Sequence, residues 1–111
     1  MAGKYELKTS ANGKFHFNLK AANGQVILSS EMYESRAAAD NGIESVRKNG
    51  TDDKNFDKKT STGGQPFFTL KAGNGQIIGK SEMYNTEAAR DNGIESVKTN
   101  CGSETVDVQT A

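Results

Sequence analysis

Side chains able to do bond-making chemistry are scarce in this 111-residue chain, and they stand apart from one another. The one histidine, His16, has no cysteine or carboxylate at motif spacing, so neither a catalytic triad nor a metal site can be built around it. It falls on the outward face of a predicted strand and reads as an exposed structural residue. The one cysteine, Cys101, falls at the end of a predicted helix, whose electronegative terminus weakens a thiol as a nucleophile. It reads as an incidental free thiol. Two carboxylate pairs, Asp40/Glu44 and Asp91/Glu95, lie four residues apart on predicted helices and share a face. Such pairs can divide acid and base roles or hold a cation, but on an exposed helix they are ordinarily a solvated face. None of the many Asn-Gly steps opens a strand-to-helix phosphate cradle. No catalytic residue, cofactor or metal ligand is expected, and the chain does not read as an enzyme.

What remains is a set of polar and aromatic residues that occurs twice. Lys20, Glu31, Tyr33, Asn41 and Glu44 return 51 positions later as Lys71, Glu82, Tyr84, Asn92 and Glu95. Tyrosine and methionine suit adaptable contacts, so these ten positions form the candidate interaction surface. The competing reading is packing at the strand-to-helix corner, together with plain inheritance from a duplication.

That set belongs to a larger repeat. From residue 17 to 49, 22 of 33 positions match those 51 further on, without a gap. Repetition this close means one structural unit built twice. Repeat 1 spans 4–53, repeat 2 spans 55–104, and a strand at 104–109 closes the chain. Apolar residues make up 33% of the whole, and the mean hydropathy is −0.73. A unit of about 50 residues this poor in apolar side chains buries too little surface to stand alone. The two copies are therefore expected to share one core in a single domain, 1–111.

Within a unit, Tyr5 and Leu7 alternate with charge, and Phe15, Phe17 and Leu19 alternate with His16, Asn18 and Lys20. Period-two alternation of this kind marks half-buried strands. Asn23-Gly24 and Asn74-Gly75 predict three-residue hairpin loops with the glycine in a left-handed bulge position, pairing Leu19 with Ile27 and Leu70 with Ile78. A helix follows, N-capped by Ser35 or Thr86. Its narrow apolar face repeats as Ala38, Gly42, Ile43, Val46 and Ala89, Gly93, Ile94, Val97. A mid-helix glycine costs about 1 kcal/mol relative to alanine, so Gly42 and Gly93 point to close approach of another backbone. The expected fold class is α+β: two strand-strand-strand-helix(-strand) repeats related by a pseudo-twofold, forming one antiparallel sheet packed by two helices. The extra strands after each helix are expected to join the halves and cover two edges.

Charge is balanced overall, 14 basic against 14 acidic, and within each repeat. Long-range attraction to nucleic acid or to an anionic membrane is therefore not expected. Phe15 and Phe17 face the core while the lysines face out, which argues against a base-stacking platform. No stretch reaches the roughly 18 apolar residues of a membrane span, and the N-terminus has no signal-peptide pattern. A cytoplasmic monomer is expected. Its partner is unknown: a protein is the first expectation, and nucleic acid on the exposed sheet face the alternative.

The motifs Leu-Lys-Ala-x-Asn-Gly-Gln, Ser-Glu-Met-Tyr and Asn-Gly-Ile-Glu-Ser-Val-Lys/Arg, each present twice, make the chain resemble the YegP family of small bacterial tandem-repeat proteins. The resemblance covers about 105 residues. It implies three strands, a helix and a strand per repeat, set about a pseudo-twofold in one sheet with exchanged terminal strands. The family has no established activity, so the resemblance implies no catalytic residues.

Overall fold

A computed structural model describes residues 3–10, 12–103 and 106–109. The strand expected over 104–109 is therefore seen only from Val106, and Ala11 of the first turn lies outside the described residues. The order is β1 (Lys4–Thr9), β2 (Phe15–Lys20), β3 (Val26–Ser29), α1 (Arg36–Asn49), a 3-10 turn (Asp53–Asn55), β4 (Phe56–Thr60), β5 (Pro66–Lys71), β6 (Ile77–Lys80), α2 (Glu87–Asn100) and β7 (Val106–Gln109). One seven-stranded sheet runs β4-β5-β6-β3-β2-β1-β7, and the fold is α+β as expected.

The halves meet at β3 and β6, where Ser29 pairs with Lys80. These two are repeat counterparts, 51 positions apart, so the pseudo-twofold passes through their pair. The extra strands do not make this junction, contrary to expectation. β4 pairs with β5 of its own repeat, and only β7 crosses over, to β1 of the first repeat. Nor is the sheet wholly antiparallel, since β7 lies parallel to β1. The reason is competition for one place. β7 is the counterpart of β4 and runs toward β2 as β4 runs toward β5, but β1 already occupies that position. β7 takes the next one out, in the same direction.

The hairpin expectation holds at the loop and fails one residue beyond it. Ala21 N–H donates to Gln25 O at 2.9 Å, and Ala72 N–H to Gln76 O at 2.8 Å, which leaves three-residue loops ending in Gly24 and Gly75. Both glycines are left-handed, with φ of 86° and 85°. A second bulge then shifts the register, so Leu19 faces Leu28 and Leu70 faces Gly79 instead of Ile27 and Ile78. The bulge lets Ile27 and Leu28 both be buried, where strict alternation would expose one of them.

Both helices pack over the sheet and each crosses the repeat boundary: α1 lies against β2, β5 and β6, and α2 against β5, β3 and β2. The core between them is continuous, from Tyr5, Phe17 and Leu28 to Phe68, Leu70 and Val97. Ser35 and Thr86 cap as expected, their hydroxyls accepting from Ala38 and Ala89 N–H at 3.1 and 3.0 Å. Gly42 and Gly93 do mark a close approach, but the neighbour is an aromatic ring and not a backbone. A Cβ on Gly42 would lie 2.5 Å from the Tyr33 hydroxyl and 3.0 Å from the Phe17 ring, and Tyr84 and Phe68 crowd Gly93 likewise. Tyr33 stacks on Phe17 and Tyr84 on Phe68, at 6.1 and 6.4 Å between ring centres.

Candidate functional site

The ten candidate residues do not form one surface. Tyr33 and Tyr84 are half-buried beneath the helices, where burial raises both phenols above their ordinary range. They are corner-packing residues. Asn41 and Glu44 lie on α1 beside the Ala72–Asn74 loop, around a hollow of about 450 Å³. Asn92 and Glu95 lie on α2 beside β4, around another of about 480 Å³. Lys20 and Lys71 stand on the opposite side of the sheet. Glu31 and Glu82 leave the ends of β3 and β6 together, at the rim of a groove on the pseudo-twofold.

The carboxylate pairs stand in surface ion pairs. Arg36 holds Asp40 at 3.8 Å, Arg47 holds Glu44, Lys58 holds Asp91 at 3.2 Å and Lys98 holds Glu95 at 3.3 Å. Hydrogen bonding from Lys58 keeps the Asp91 carboxyl below its usual range. No cluster of three metal-ligating side chains occurs among the described residues. Cys101 is fully buried, and that burial raises its thiol above the ordinary range. His16 is half-buried rather than exposed, and its Nδ1 is enclosed without a hydrogen-bond partner among the described residues.

The helix-free face of the sheet is the more coherent surface. Strand register places one polar row across it: Asp107, Glu6, Asn18, Ser29, Lys80, Thr69 and Asp57, each beside the next. Neighbouring positions on this face add Lys4, Lys8, Lys20, Lys59 and Lys71. Six lysines thus meet three carboxylates, although the chain as a whole is neutral. Each half builds the same cluster. Glu6 is held by Lys20 at 2.7 Å and Lys8 at 3.6 Å, and Asp57 by Lys71 at 3.2 Å and Lys59 at 3.5 Å. These lysines, by hydrogen bond first, keep both carboxyls below their usual range. At the centre lies the axis groove, about 370 Å³, lined by Ser29, Glu31, Ile77, Lys80, Glu82 and Thr69, whose buried hydroxyl has no partner among the described residues.

Sequence reasoning missed this charge asymmetry because it counted along the chain rather than by face. The signal was available, since Lys4, Lys8, Lys20, Lys59 and Lys71 all fall on the outward phase of the alternation. Phe67, the counterpart of His16, also lies on the open face, with Lys80 Nζ 5.2 Å from its ring centre.

A family model described as a domain of unknown function (DUF1508) matches residues 10–57 and again 61–107. The chain belongs to this family. As a DUF1508 protein it is 57% identical over 101 residues to a UPF0339 protein of Mannheimia succiniciproducens, covering 91% of this chain and 89% of that one. It is 50% identical over 106 residues to the UPF0339 protein YegP of Escherichia coli K12, covering 96% of each. The solution structure of Escherichia coli YegP, itself described as of unknown function, superposes with a TM-score of 0.94 at 49% identity, over 100% of this chain and 96% of that one. A UPF0339 protein of Shewanella oneidensis gives 0.93 at 49% identity, over 99% and 93%. DUF1508 here names a fold and a tandem repeat, and it brings no activity with it.

Proposed function

We propose that this protein is a small non-enzymatic binding module that receives an acidic segment of another protein on the helix-free face of its sheet. The observation that supports it is the uncovered face itself, whose strands carry six lysines against three carboxylates, with two more, Glu31 and Glu82, at the rim of the groove on the pseudo-twofold. Lys80 at the groove forms no ion pair among the described residues; its Nζ lies 5.2 Å from the Phe67 ring centre, and its charge is left for an incoming anion. Nothing in the described residues assembles a nucleophile with a base, which favours binding over catalysis.

One observation favours single-stranded nucleic acid as a second reading. His16 and Phe67, one ring per repeat, share the face with the lysines, a combination that stacks bases while neutralising phosphate. Titrating the 15N-labelled protein at low salt with an oligoglutamate peptide and with a single-stranded oligonucleotide separates the two. Under the first reading the peptide shifts amides of β2, β5 and β6, and Lys80→Glu weakens it while Lys48→Glu on α1 does not. Under the second, the oligonucleotide binds and Phe67→Ala weakens it. Shifts confined to the helices, or none with either probe, would end both.

A further inference from the structure

The two repeats contribute unequally to the groove on the pseudo-twofold. Glu31 and Glu82 are counterparts, and both line it. From the strands, Thr69, Ile77 and Gly79 of the second repeat line it, while their counterparts Asn18, Val26 and Leu28 do not. Each of those three positions differs between the copies, and so does Lys80, whose counterpart is Ser29. Departures from the repeat thus gather in the groove wall, and they change its chemistry. Lys80 is a cation in no ion pair among the described residues, and its Nζ rests over the Phe67 ring, outside the lining. Glu31 and Glu82 are likewise in no ion pair among the described residues. Thr69 is only 4% exposed, and its hydroxyl has no hydrogen-bond partner among the described residues. An enclosed hydroxyl left unpaired is costly, and a ligand atom that bonds to it recovers the cost. Ile77 is 37% exposed and supplies apolar wall.

We propose that the axis groove binds a free amino acid with an apolar side chain. Its carboxylate takes Lys80 and the Thr69 hydroxyl, its ammonium lies between Glu31 and Glu82 at the rim, and its side chain lies along Ile77. The register makes the first of these contacts a single one. Lys80 stands directly opposite Thr69 in the β5–β6 pair, and such neighbours have Cβ atoms about 4.5–5.5 Å apart, within the span of one carboxylate. The two signs of charge select a zwitterion. A plain anion would meet Lys80 but be repelled by the two glutamates, and a plain cation would meet the glutamates and be repelled by Lys80. Size selects a small one. A hollow of about 370 Å³ stands at the lower end of ligand pockets, which run from about 300 to 1,000 Å³. The site does not depend on the acidic-segment reading of the open face, although an amino acid held here would compete with such a segment for Lys80.

The test titrates the full chain, 15N-labelled, with L-leucine. Saturable shifts at the amides of Ser29, Thr69, Lys80 and Glu82 are expected. Glycine, N-acetyl-L-leucine and L-leucinamide lack in turn the side chain, the ammonium and the carboxylate, and each should bind more weakly. Lys80→Gln should weaken leucine about tenfold, the worth of one charge-assisted hydrogen bond. Thr69→Val keeps the shape and removes the unpaired hydroxyl. It should weaken leucine about fivefold while leaving the thermal midpoint unchanged or higher. A lower midpoint with leucine binding untouched would mean that the hydroxyl serves the fold alone, and overturns the proposal. So do equal binding by any of the three analogues, shifts confined to the helices, and no saturable shift at millimolar leucine. The oligoglutamate titration decides the open-face reading separately, so either can fail without the other.

Discussion

The two halves of this molecule share most of their sequence from Phe17 to Asn49, and two of the differences within that stretch and its end fall where the halves touch each other. Leu28 and Gly79 are counterparts 51 positions apart, and they meet across the pseudo-twofold: a Cβ on Gly79 would lie 2.8 Å from the Leu28 side chain. Gly50 and Cys101 are counterparts too, and a Cβ on Gly50 would lie 2.9 Å from the Cys101 sulfur. Gly50 has φ of −72°, an ordinary right-handed value, so its missing side chain answers to close neighbours, Val46 O at 2.8 Å and the Cys101 side chain, and not to a left-handed backbone. Where a residue meets only its own repeat, both copies can keep it. Gly42 and Gly93 each face the tyrosine of their own repeat and are both kept. A residue near a twofold axis meets its own counterpart, and two large side chains cannot share that space. A duplicated chain can make one large and the other absent, which a symmetric pair of identical subunits cannot do.

The strongest way to break this comparison is at Leu28. Leu28→Ala should cost about 2–5 kcal/mol by leaving a cavity in the core. Gly79→Leu alone should destabilise by about 1–3 kcal/mol or more through overpacking. The exchange Leu28→Gly with Gly79→Leu keeps the same atoms on the axis, and urea unfolding should find it more stable than either single change. Additive losses in the double variant would show that the two sites respond to their own surroundings and not to each other. The second contact is smaller. Gly50→Ala should cost about 1–3 kcal/mol by overpacking against the buried thiol, and adding Cys101→Gly should restore part of it.

How far the sequence foretold these features depends on the range of the interaction. The loops at Gly24 and Gly75 were legible because three-residue hairpin chemistry is local. Ser35 and Thr86 were legible for the same reason. The register one step beyond the loop was not, because it answers to whether Leu28 reaches the core, and that is decided by packing across the axis. Aligned as repeats, Leu28 and Gly79 look like simple divergence. Only the fold shows that they are neighbours. The parallel placement of β7 escaped prediction likewise, since it follows from β1 holding the place beside β2. Of the candidate surface, the lysines on the strands could be assigned a face from alternation. The separation of Tyr33 and Asn41 from Lys20 by the thickness of the sheet could not.

The matched clusters offer a comparison in pH. Glu6 has a side chain only 6% exposed and Asp57 one 40% exposed, yet each is gripped by two lysines. A carboxyl held below its ordinary value in the folded state stabilises the fold above its unfolded value and loses that contribution as pH falls through the folded one. For Glu6 the loss therefore begins near its ordinary 4.5 and extends below it. Glu6→Gln should flatten the fall in stability over that acid range more than Asp57→Asn does, because solvent screens the exposed cluster. Unfolding midpoints from pH 6 downward measure this, and equal slopes in the two variants would mean that burial does not distinguish the clusters.

The smallest expected effects belong to the two caps, where the halves ought to agree. Ser35 and Thr86 share backbone geometry and bond length, so Ser35→Ala and Thr86→Ala should each cost about 1 kcal/mol. One local feature separates them. α2 has Glu87 in its first turn and α1 has no acid there, a helix-dipole interaction worth about 0.3–1 kcal/mol to α2. With that support left in place, the loss at Thr86 should be the milder. Because both helices cross the repeat boundary onto one core, either variant should lower a single unfolding transition seen by every probe. If amide exchange instead quickened only in the half that lost its cap, the shared core would not be binding the copies into one cooperative unit. The half whose β4 edge lies open would then be the one to loosen first.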